Sequence, residues 1–361
     1  MTANQSKVYL GTEMEDFEKE GMSIEPELWE DGNRTPYDRH HFEWWYFDAE
    51  LDDGSVIVII FGPKPFFDTH FPKFPLIVID YTDPSGKQIQ EGYLEKNRRK
   101  NYSNSKEKCD VRISDNYFIG DLKNYKIKAK TKSIEADIAL QSLSKPWRPG
   151  NGYLYFKKQE KSEEKYFAWL SAVPYGKVSG TLSINGVERQ VKGKGYHDHN
   201  WGNADPSSLF HHWYWSRSHF GEYLLLACNL VTRKEYGFEE YPYLLLMDEN
   251  GVIAEDSTQV NVIKKDPVKH PETKKLIHDT LEFVYNDDEL KFSLTLKREK
   301  DIVLGNLLRL NSPHLFFRQI GKNPWYHRFL GKSIFEIEME GKKDHFDSTV
   351  VYELMYYGKS L

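Results

Sequence analysis

Cysteine is scarce in this sequence, which contains only Cys109 and Cys228, far apart along the chain. Two isolated cysteines exclude a disulfide framework of the kind that holds small secreted domains together, and they also exclude a cysteine-rich zinc site. We therefore expect both to be unpaired thiols, as is usual in a reducing compartment.

Three further features are missing. The net charge of the 361-residue chain is −6, so there is no electrostatic reason to expect nucleic acid as a partner. No run of 18 apolar residues occurs, so no membrane-spanning helix is predicted. Residues 1–21 are polar and acidic and lack the pattern of a secretory signal, so the sequence predicts a cytoplasmic protein.

Aromatic residues, in contrast, are abundant at 15% of the chain, with 23 Tyr, 21 Phe and 9 Trp. Rings favour β-strands, and they also line pockets that bind apolar ligands. The composition therefore favours a β-rich protein with an aromatic pocket.

The hydrophobic pattern has a period of two, which is typical of half-buried strands. Apolar residues alternate with polar ones in three clear runs: Leu290, Phe292, Leu294 and Leu296; Phe335, Ile337 and Met339; Val350, Tyr352, Leu354 and Tyr356. Asn185-Gly186 suits a tight hairpin turn between two such runs. Only residues 13–20 suggest a short helix. We predict an all-β, antiparallel protein.

A faint internal repeat suggests two copies of one β unit. Trp45-Tyr46 and Trp213-Tyr214 each open an aromatic segment that leads through a glycine into an apolar strand. Chance among so many rings is the alternative. The repeat predicts two domains, residues 1–195 and 196–361.

The densest polar cluster spans residues 195–205. If it is extended, His197, His199 and Trp201 face one side and Asp198 faces the other. Two histidines at this spacing could bind zinc with a third ligand, but we predict no metal. A carboxyl group walled by rings has a raised pKa and suits proton transfer in an apolar pocket. The alternative is a buried His–Asp network that joins two barrels.

Glu43 stands in a tryptophan-rich strand, where an unpaired carboxylate would be costly to bury. It either pairs with an arginine such as Arg148 or Arg217, or it faces the ligand. Arg217 fits both alternatives because it shares a strand face with Trp215.

Three segments resemble the carotenoid 1,2-hydratase family and its AttH-like lipocalin relatives, and the likeness spans nearly the whole chain. They are Gly195-Tyr196-His197-Asp198-His199-Asn200-Trp201-Gly202, the run from His41 to Tyr46, and Tyr326-His327-Arg328-Phe329 with Tyr352-Glu353. The resemblance implies two tandem lipocalin-like antiparallel β-barrels. It also implies hydration of terminal isoprenoid double bonds or, as in similar fungal proteins, the folding of polyenes for cycloaddition, without a metal or organic cofactor.

Carried onto this chain, the hydratases' essential His-x-Trp corresponds to His199-Asn200-Trp201. The family also places a Tyr-x-Asp pair on a strand about two dozen residues downstream. Here residues 224–229 read Leu-Leu-Leu-Ala-Cys-Asn and contain no carboxylate. Asp198, Asp205 or Glu43 is then left to supply the acid.

We therefore expect a cofactor-independent acid–base enzyme, a hydratase or dehydratase, that acts on a double bond of a hydrophobic isoprenoid or polyene. A cyclase or isomerase that templates a polyene and a non-catalytic carrier are the alternatives. Contact with a membrane surface is a further expectation, because an apolar substrate resides there. The predicted catalytic residues are His197, Asp198, His199 and Trp201. The predicted substrate-binding residues are Glu43, Trp45, Tyr196, Trp213, Trp215 and Arg217.

Overall fold

A computed structural model describes residues 7–36, 40–65, 74–159, 162–306, 324–339 and 341–360. These residues form 22 β-strands. The strands are β1 Lys7–Leu10, β2 Phe42–Leu51, β3 Val56–Gly62, β4 Leu76–Thr82, β5 Gln88–Leu94, β6 Tyr102–Asn104, β7 Asp110–Ile113, β8 Asn116–Gly120, β9 Asn124–Lys130, β10 Ile134–Ser142, β11 Tyr153–Lys157, β12 Lys165–Ile184, β13 Val187–Gly202, β14 Phe210–Phe220, β15 Tyr223–Thr232, β16 Glu240–Asp248, β17 Gly251–Ala254, β18 Val260–Lys269, β19 Leu276–Asn286, β20 Leu290–Asn306, β21 Trp325–Met339 and β22 Lys342–Tyr356.

Helices are short. The α-helices are α1 Met14–Glu20, α2 Arg98–Asn101 and α3 Pro206–Leu209, and 3-10 turns lie at Leu28–Asp31, Lys234–Tyr236 and Ser257–Gln259. Helix α1 confirms the helix predicted over residues 13–20. Within the described ranges, no helix has the length and apolar character needed to cross a membrane.

The chain divides into two compact units, Met1–Pro206 and Ser207–Leu361. The sequence placed the division after residue 195, within what is strand β13. The whole of β13 belongs to the first unit, and so does the rest of the polar cluster.

Each unit is one curled antiparallel sheet, which confirms the predicted all-β class and matches AttH- and lipocalin-like folds. In the first unit the strand order is β5-β4-β3-β2-β13-β12-β10-β9-β8-β7-β6, with β11 and β1 branching from β12. In the second unit it is β17-β16-β15-β14-β22-β21-β20-β19-β18. The first nine strands of the two orders correspond one to one, so the faint sequence repeat reflects a repeated topology.

The apolar residues of the predicted alternating runs are buried in the structure, except for Met339. Leu290, Phe292, Leu294 and Leu296 are buried in the core of the second unit, and so are Val350, Tyr352, Leu354 and Tyr356. Met339 is 42% exposed, because it lies at the end of its strand. Asn185 and Gly186 adopt φ of 53° and 81° between β12 and β13, as the hairpin turn requires.

Both cysteines are free, as predicted, and both are buried, one in each unit. Cys109 lies in the core of the first unit beside β8, where its thiol donates to the Phe118 carbonyl oxygen at 3.5 Å. Burial raises the pKa of Cys109 well above its usual value, so the group is a neutral thiol.

Candidate functional site

The site is built on two neighbouring strands of the first unit, β2 and β13, which pair without a register shift. Trp45 lies opposite His199, and Phe47 lies opposite His197. Because directly opposed residues project to the same side of a sheet, these side chains share one face. The predicted separation of His197, His199 and Trp201 from Asp198 is therefore present.

On the core-facing side of the site, His199 contacts two indole rings. The His199 ring lies 4.7 Å from the Trp45 ring with an interplanar angle of 9°, and it lies 4.7 Å from the Trp201 ring with an angle of 34°. Its Nδ1 donates to the Glu30 carbonyl oxygen at 3.0 Å, and its Nε2 lies 3.0 Å from Glu43 Oε1. Both ring nitrogens are thus engaged, and the side chain is fully buried.

Glu43 is also fully engaged. Its carboxylate accepts hydrogen bonds from the Asn33 side chain at 2.5 Å, the Arg34 backbone N–H at 2.6 Å and the Thr35 hydroxyl at 2.7 Å. Arg148 instead forms a buried ion pair with Glu30, with Nε 2.6 Å from Oε2. The predicted pairing of Glu43 with Arg148 is wrong, because the loop before β2 supplies Glu43 with nearer donors and supplies Arg148 with another carboxylate.

His197 makes a second buried pair with Asp31. Its Nε2 lies 3.1 Å from Asp31 Oδ2, and its Nδ1 donates to the Tyr46 carbonyl oxygen at 2.8 Å. Asp31 also accepts from the Tyr125 hydroxyl at 2.6 Å. Burial lowers the pKa of His197, but the Asp31 carboxylate and the Tyr46 carbonyl outweigh burial and raise the pKa overall. Because each ring nitrogen faces an oxygen acceptor, this surrounding favours the imidazole form that donates from both nitrogens.

Asp198 lies on the opposite face of β13 in a frame of rings. Its Oδ2 accepts from the Tyr196 hydroxyl at 2.9 Å and from Trp169 Nε1 at 3.1 Å, and its Oδ1 accepts from the Asn200 amide at 2.8 Å. Trp147 packs edge-on against Trp169, with ring centroids 5.4 Å apart.

Burial dominates the electrostatics at Asp198. It raises the pKa of the carboxyl group to about 7, although the Tyr196 and Trp169 hydrogen bonds oppose the shift. The negative charge of Asp48, on the same face of the neighbouring strand, raises the pKa further. Asp198 is 8% exposed, whereas His197, His199 and Trp201 are fully buried.

The two faces of the β2–β13 strand pair account for seven of the predicted site residues, all in the first unit. On the core-facing side are Glu43, Trp45, His197, His199 and Trp201, and on the other side are Tyr196 and Asp198. Trp213, Trp215 and Arg217 lie on β14 of the second unit, where all three are half-buried on one strand face.

Sequence reasoning missed several members of the site, namely Glu30, Asp31, Asp48, Tyr125 and Trp169. Asp48 had a readable signal, because it continues the alternation of the aromatic strand past Tyr46. The others lie far along the chain from the residues they contact: Asp31 and His197 are 166 residues apart.

Two clusters among the described residues have the composition of a metal site: Asp31 with Cys109 and His197, and His270 with Asp301 and His327. In the first, His197 and Asp31 already bond each other, and the thiol is protonated.

In the second cluster, His270 Nδ1 accepts a hydrogen bond from the Thr273 backbone N–H at 3.2 Å. Its Nε2 must therefore carry the hydrogen that it shares with Asp301 at 3.1 Å. Because these ligand atoms are already hydrogen-bonded or protonated, neither the first nor the second cluster offers three free lone pairs to a metal.

Residues 114–297, half of the chain, match a family model described as Diels-Alderase-like. The chain belongs to the Diels-Alderase-like family. The matched segment includes Tyr196, Asp198 and the rest of β13, whereas β2 and the 3-10 turn at Leu28–Asp31 precede it.

Two curated relatives of this Diels-Alderase-like chain come from a bacterium and a fungus. A hydroxyneurosporene dehydrogenase of Chlorobaculum tepidum is 24% identical over 57% of this chain and 61% of its own length. A quinolone epoxide rearrangement protein of Emericella nidulans is 27% identical over 54% of this chain and 56% of its own length. The chain thus matches less than two thirds of either relative.

Solved structures share the fold over nearly the whole chain. An AttH protein of Nitrosomonas europaea has a TM-score of 0.59 at 16% identity, covering 91% of this chain and 98% of its own. CghA bound to Sch210972 has a TM-score of 0.62 at 13% identity, with 93% and 97% coverage. Kievitone hydratase of Nectria haematococca has a TM-score of 0.56 at 12% identity, with 93% and 98% coverage. The predicted resemblance to carotenoid hydratase and AttH-like proteins is confirmed.

Proposed function

We propose that this protein is an enzyme that protonates an apolar, polyunsaturated small molecule, and that Asp198 is the proton donor. One observation carries the proposal: of the four predicted catalytic residues, Asp198 alone keeps exposed surface, and burial raises its pKa to about 7. An acid with a pKa near the working pH is well matched to proton transfer, because it is readily protonated and readily gives the proton up.

The proposed step is acid-catalysed addition of water. The Asp198 carboxyl group gives its proton to one carbon of the double bond, and a cation forms on the other carbon. The faces of nearby rings such as Trp169 and Trp147 stabilise that cation. Water adds to the cation and returns a proton to the Asp198 carboxylate, so the acid is regenerated. The reverse sequence is dehydration, and the enzyme class is then a hydro-lyase.

Tyr196 and Asp198 form a Tyr-x-Asp pair on β13, whereas residues 224–229 contain no such pair. Both side chains lie on one face of β13, and the Tyr196 hydroxyl donates to the Asp198 carboxylate at 2.9 Å. The spacing expected on the downstream strand is thus present on the strand that carries His199 and Trp201. This supports Asp198, rather than Asp205 or Glu43, as the acid.

His197, His199 and Trp201 act as positioning residues in this proposal. Their polar atoms bond to Asp31, Glu43 and Tyr153 on the core-facing side of β13. By holding that side of the strand, they fix where Asp198 projects on the other.

A cyclisation or rearrangement is the second candidate reaction. It is favoured by the Diels-Alderase-like family and by the relative that rearranges a quinolone epoxide. The same proton transfer starts it, but a second double bond of the substrate attacks the cation in place of water. The new cation then loses a proton to the Asp198 carboxylate, so the acid is regenerated and the product is isomeric with the substrate.

The test uses the purified full chain with three compounds taken from the relatives' names, hydroxyneurosporene, kievitone and a quinolone epoxide, followed by mass spectrometry. A mass change equal to one water, lost in Asp198→Asn and strongly reduced in Tyr196→Phe, is the expected result for a hydro-lyase. A product of unchanged mass and altered retention indicates a cyclase or isomerase. Unchanged ligand that remains bound would identify a carrier and end the catalytic proposal.

Two variants make the assignment to Asp198 specific. Asp48→Asn removes a charge that raises the pKa of Asp198, so the pH dependence of turnover should move toward acid while activity is retained. Asp344→Asn changes an exposed acid of the second unit and should alter neither rate nor profile. An unshifted profile in Asp48→Asn, or equal losses in Asp198→Asn and Asp344→Asn, would remove Asp198 from the mechanism.

A further inference from the structure

A cleft of about 900 Å³ lies in the first unit, where β8, β9, β10, β12 and β13 run side by side. Its lining contains more lysine than acid. The basic residues are Lys108, Lys126, Lys177 and Lys192, and the acidic ones are Asp52 and Asp121. The lining therefore has a positive balance, whereas the chain as a whole has a net charge of −6.

The strand register shows how the cleft is shaped. Lys126 lies opposite Ala139, Ala139 opposite Ser179, and Ser179 opposite Lys192. These four residues therefore form one row on one face of four adjacent strands, with two small side chains between two lysines. Three strand spacings separate the lysines, or about 14 Å between their Cα atoms. Lys177 lies in the next row, opposite Gln141.

The four lysines of the cleft form no ion pair or side-chain hydrogen bond within the part of the chain that the structure describes. Of the two acids, Asp121 accepts from the backbone N–H groups of Lys123 and Asn124 and so closes the β8–β9 turn. A concave surface lined by unpaired charges of one sign attracts and orients ions of the other sign.

The cleft and the proposed acid share one face of β13. Lys192, Lys194, Tyr196 and Asp198 alternate along a strand whose pairing with β2 is regular, so all four project to the same side. Lys192 and Lys194 are exposed, whereas Tyr196 and Asp198 are buried. The face thus passes from charged and open to aromatic and covered over about 20 Å.

We propose that the ligand is an amphipathic organic acid: its anionic end binds the lysines of the cleft, and its apolar chain extends along β13 toward Asp198. This inference rests on the proposed function for the role of the far end, but its first half concerns binding alone. An extended polyene that carries a carboxylate at one end has the required chemistry.

The experiment measures binding of the fluorescent polyene cis-parinaric acid and of its methyl ester, which lacks the charge. The acid should bind about tenfold more tightly than the ester, because a hydrogen-bonded charge adds to the contacts of the shared chain. The triple variant Lys126→Gln, Lys177→Gln and Lys192→Gln should remove that preference and leave ester binding unchanged. Added salt should also weaken acid binding more than ester binding.

The matched control is Lys291→Gln, Lys297→Gln and Lys332→Gln, which removes the same charge from exposed positions of the second unit. It should keep the preference for the acid. Equal affinities for acid and ester in the unmodified protein, or equal effects of the two triple variants, would overturn the inference.

The binding result is independent of turnover. If acid and ester bind alike while Asp198→Asn still abolishes turnover, the lysine cleft is not the binding site of an acidic end and the proposed reaction stands. If the preference for the acid is found but Asp198→Asn is fully active, the binding inference stands and the assignment of Asp198 fails.

Discussion

The two units have the same nine-strand order but differ in the chemistry of their cores. In the first unit, the core-facing residue Trp45 opposes His199 across the central strand pair β2–β13. In the second, Tyr214 opposes Leu354 across the equivalent pair β14–β22. The same backbone arrangement thus surrounds an ionic network in one unit and a mainly apolar cluster in the other. The shared strand order therefore does not determine which polar groups the core of each unit contains.

The comparison also corrects how the two copies of the sequence repeat are aligned. The sequence aligns Trp45-Tyr46 with Trp213-Tyr214, but the fully buried members are Trp45 and Tyr214. The structural correspondence is shifted by one residue, and a shift of one residue exchanges the two faces of a strand. Trp213, Trp215 and Arg217 consequently lie on the opposite face of β14 from the counterpart of Trp45.

The largest expected effect tests the ionic core. Arg148→Ala leaves Glu30 buried without its partner and should cost about 3–5 kcal/mol of the free energy of unfolding. Arg328→Ala in the second unit should cost less, because the side chain of Glu353 is 16% exposed and also accepts from the Tyr326 hydroxyl.

The measurement is urea unfolding, with reaction of the buried thiols as the readout for each unit. Arg148→Ala should accelerate labelling of Cys109 and leave Cys228 protected. The double variant Glu30→Gln and Arg148→Met removes both charges and should regain most of the loss. If Arg148→Ala costs no more than Arg328→Ala, the ionic core does not set the stability of the first unit.

An intermediate effect is expected from pH. Burial raises the pKa of Asp198 to about 7, and the pKa of His197 is raised as well, so the folded first unit binds protons more tightly than its unfolded chain. Acidification from neutral pH toward about pH 5 should therefore stabilise the first unit. In the second unit, burial lowers the pKa of four histidines, and the same acidification should destabilise that unit. These histidines are His211, His212, His278 and His327.

Hydrogen exchange of β13 and β22, measured across this pH range, checks the opposite signs. A pKa that differs by 1 between the folded and unfolded states changes the free energy of unfolding by about 1.4 kcal/mol once the titration is complete. His327→Leu should reduce the loss in the second unit and leave the first unchanged. A change of the same sign in both units would contradict the opposite directions of the pKa shifts in the two units.

The smallest effect should be equal in the two units. Gly186 and Gly221 have φ of 81° and 60° in their hairpin turns, and an added Cβ would meet no atom within 4 Å at either position. Alanine at each should therefore cost about 1 kcal/mol from backbone conformation alone. Thermal unfolding of the two single variants checks this, and a clearly larger loss at one turn would show that the hairpins differ in more than their backbone.

Much of the molecule follows from local sequence patterns. The period-two runs predict the strands and their buried faces, and Asn185-Gly186 predicts the hairpin turn. The alternation of residues 197–201 predicts that Asp198 and His199 project from opposite faces of β13. These properties depend on neighbours within a few residues, since the side-chain period of a strand is set by its own backbone.

Tertiary structure alone decided which partner each polar group finds. Asp31 and Glu30 reach β13 from a 3-10 turn more than 150 residues earlier in the chain, and they make His197 and His199 part of a buried network. Asp198 lies between these two histidines in sequence, but its side chain is buried among aromatic rings, and its pKa is raised. Sequence determined which residues share a face, because that is local geometry. Only the folded chain determined which of them is paired and which is desolvated, because burial and charge act between segments distant in sequence.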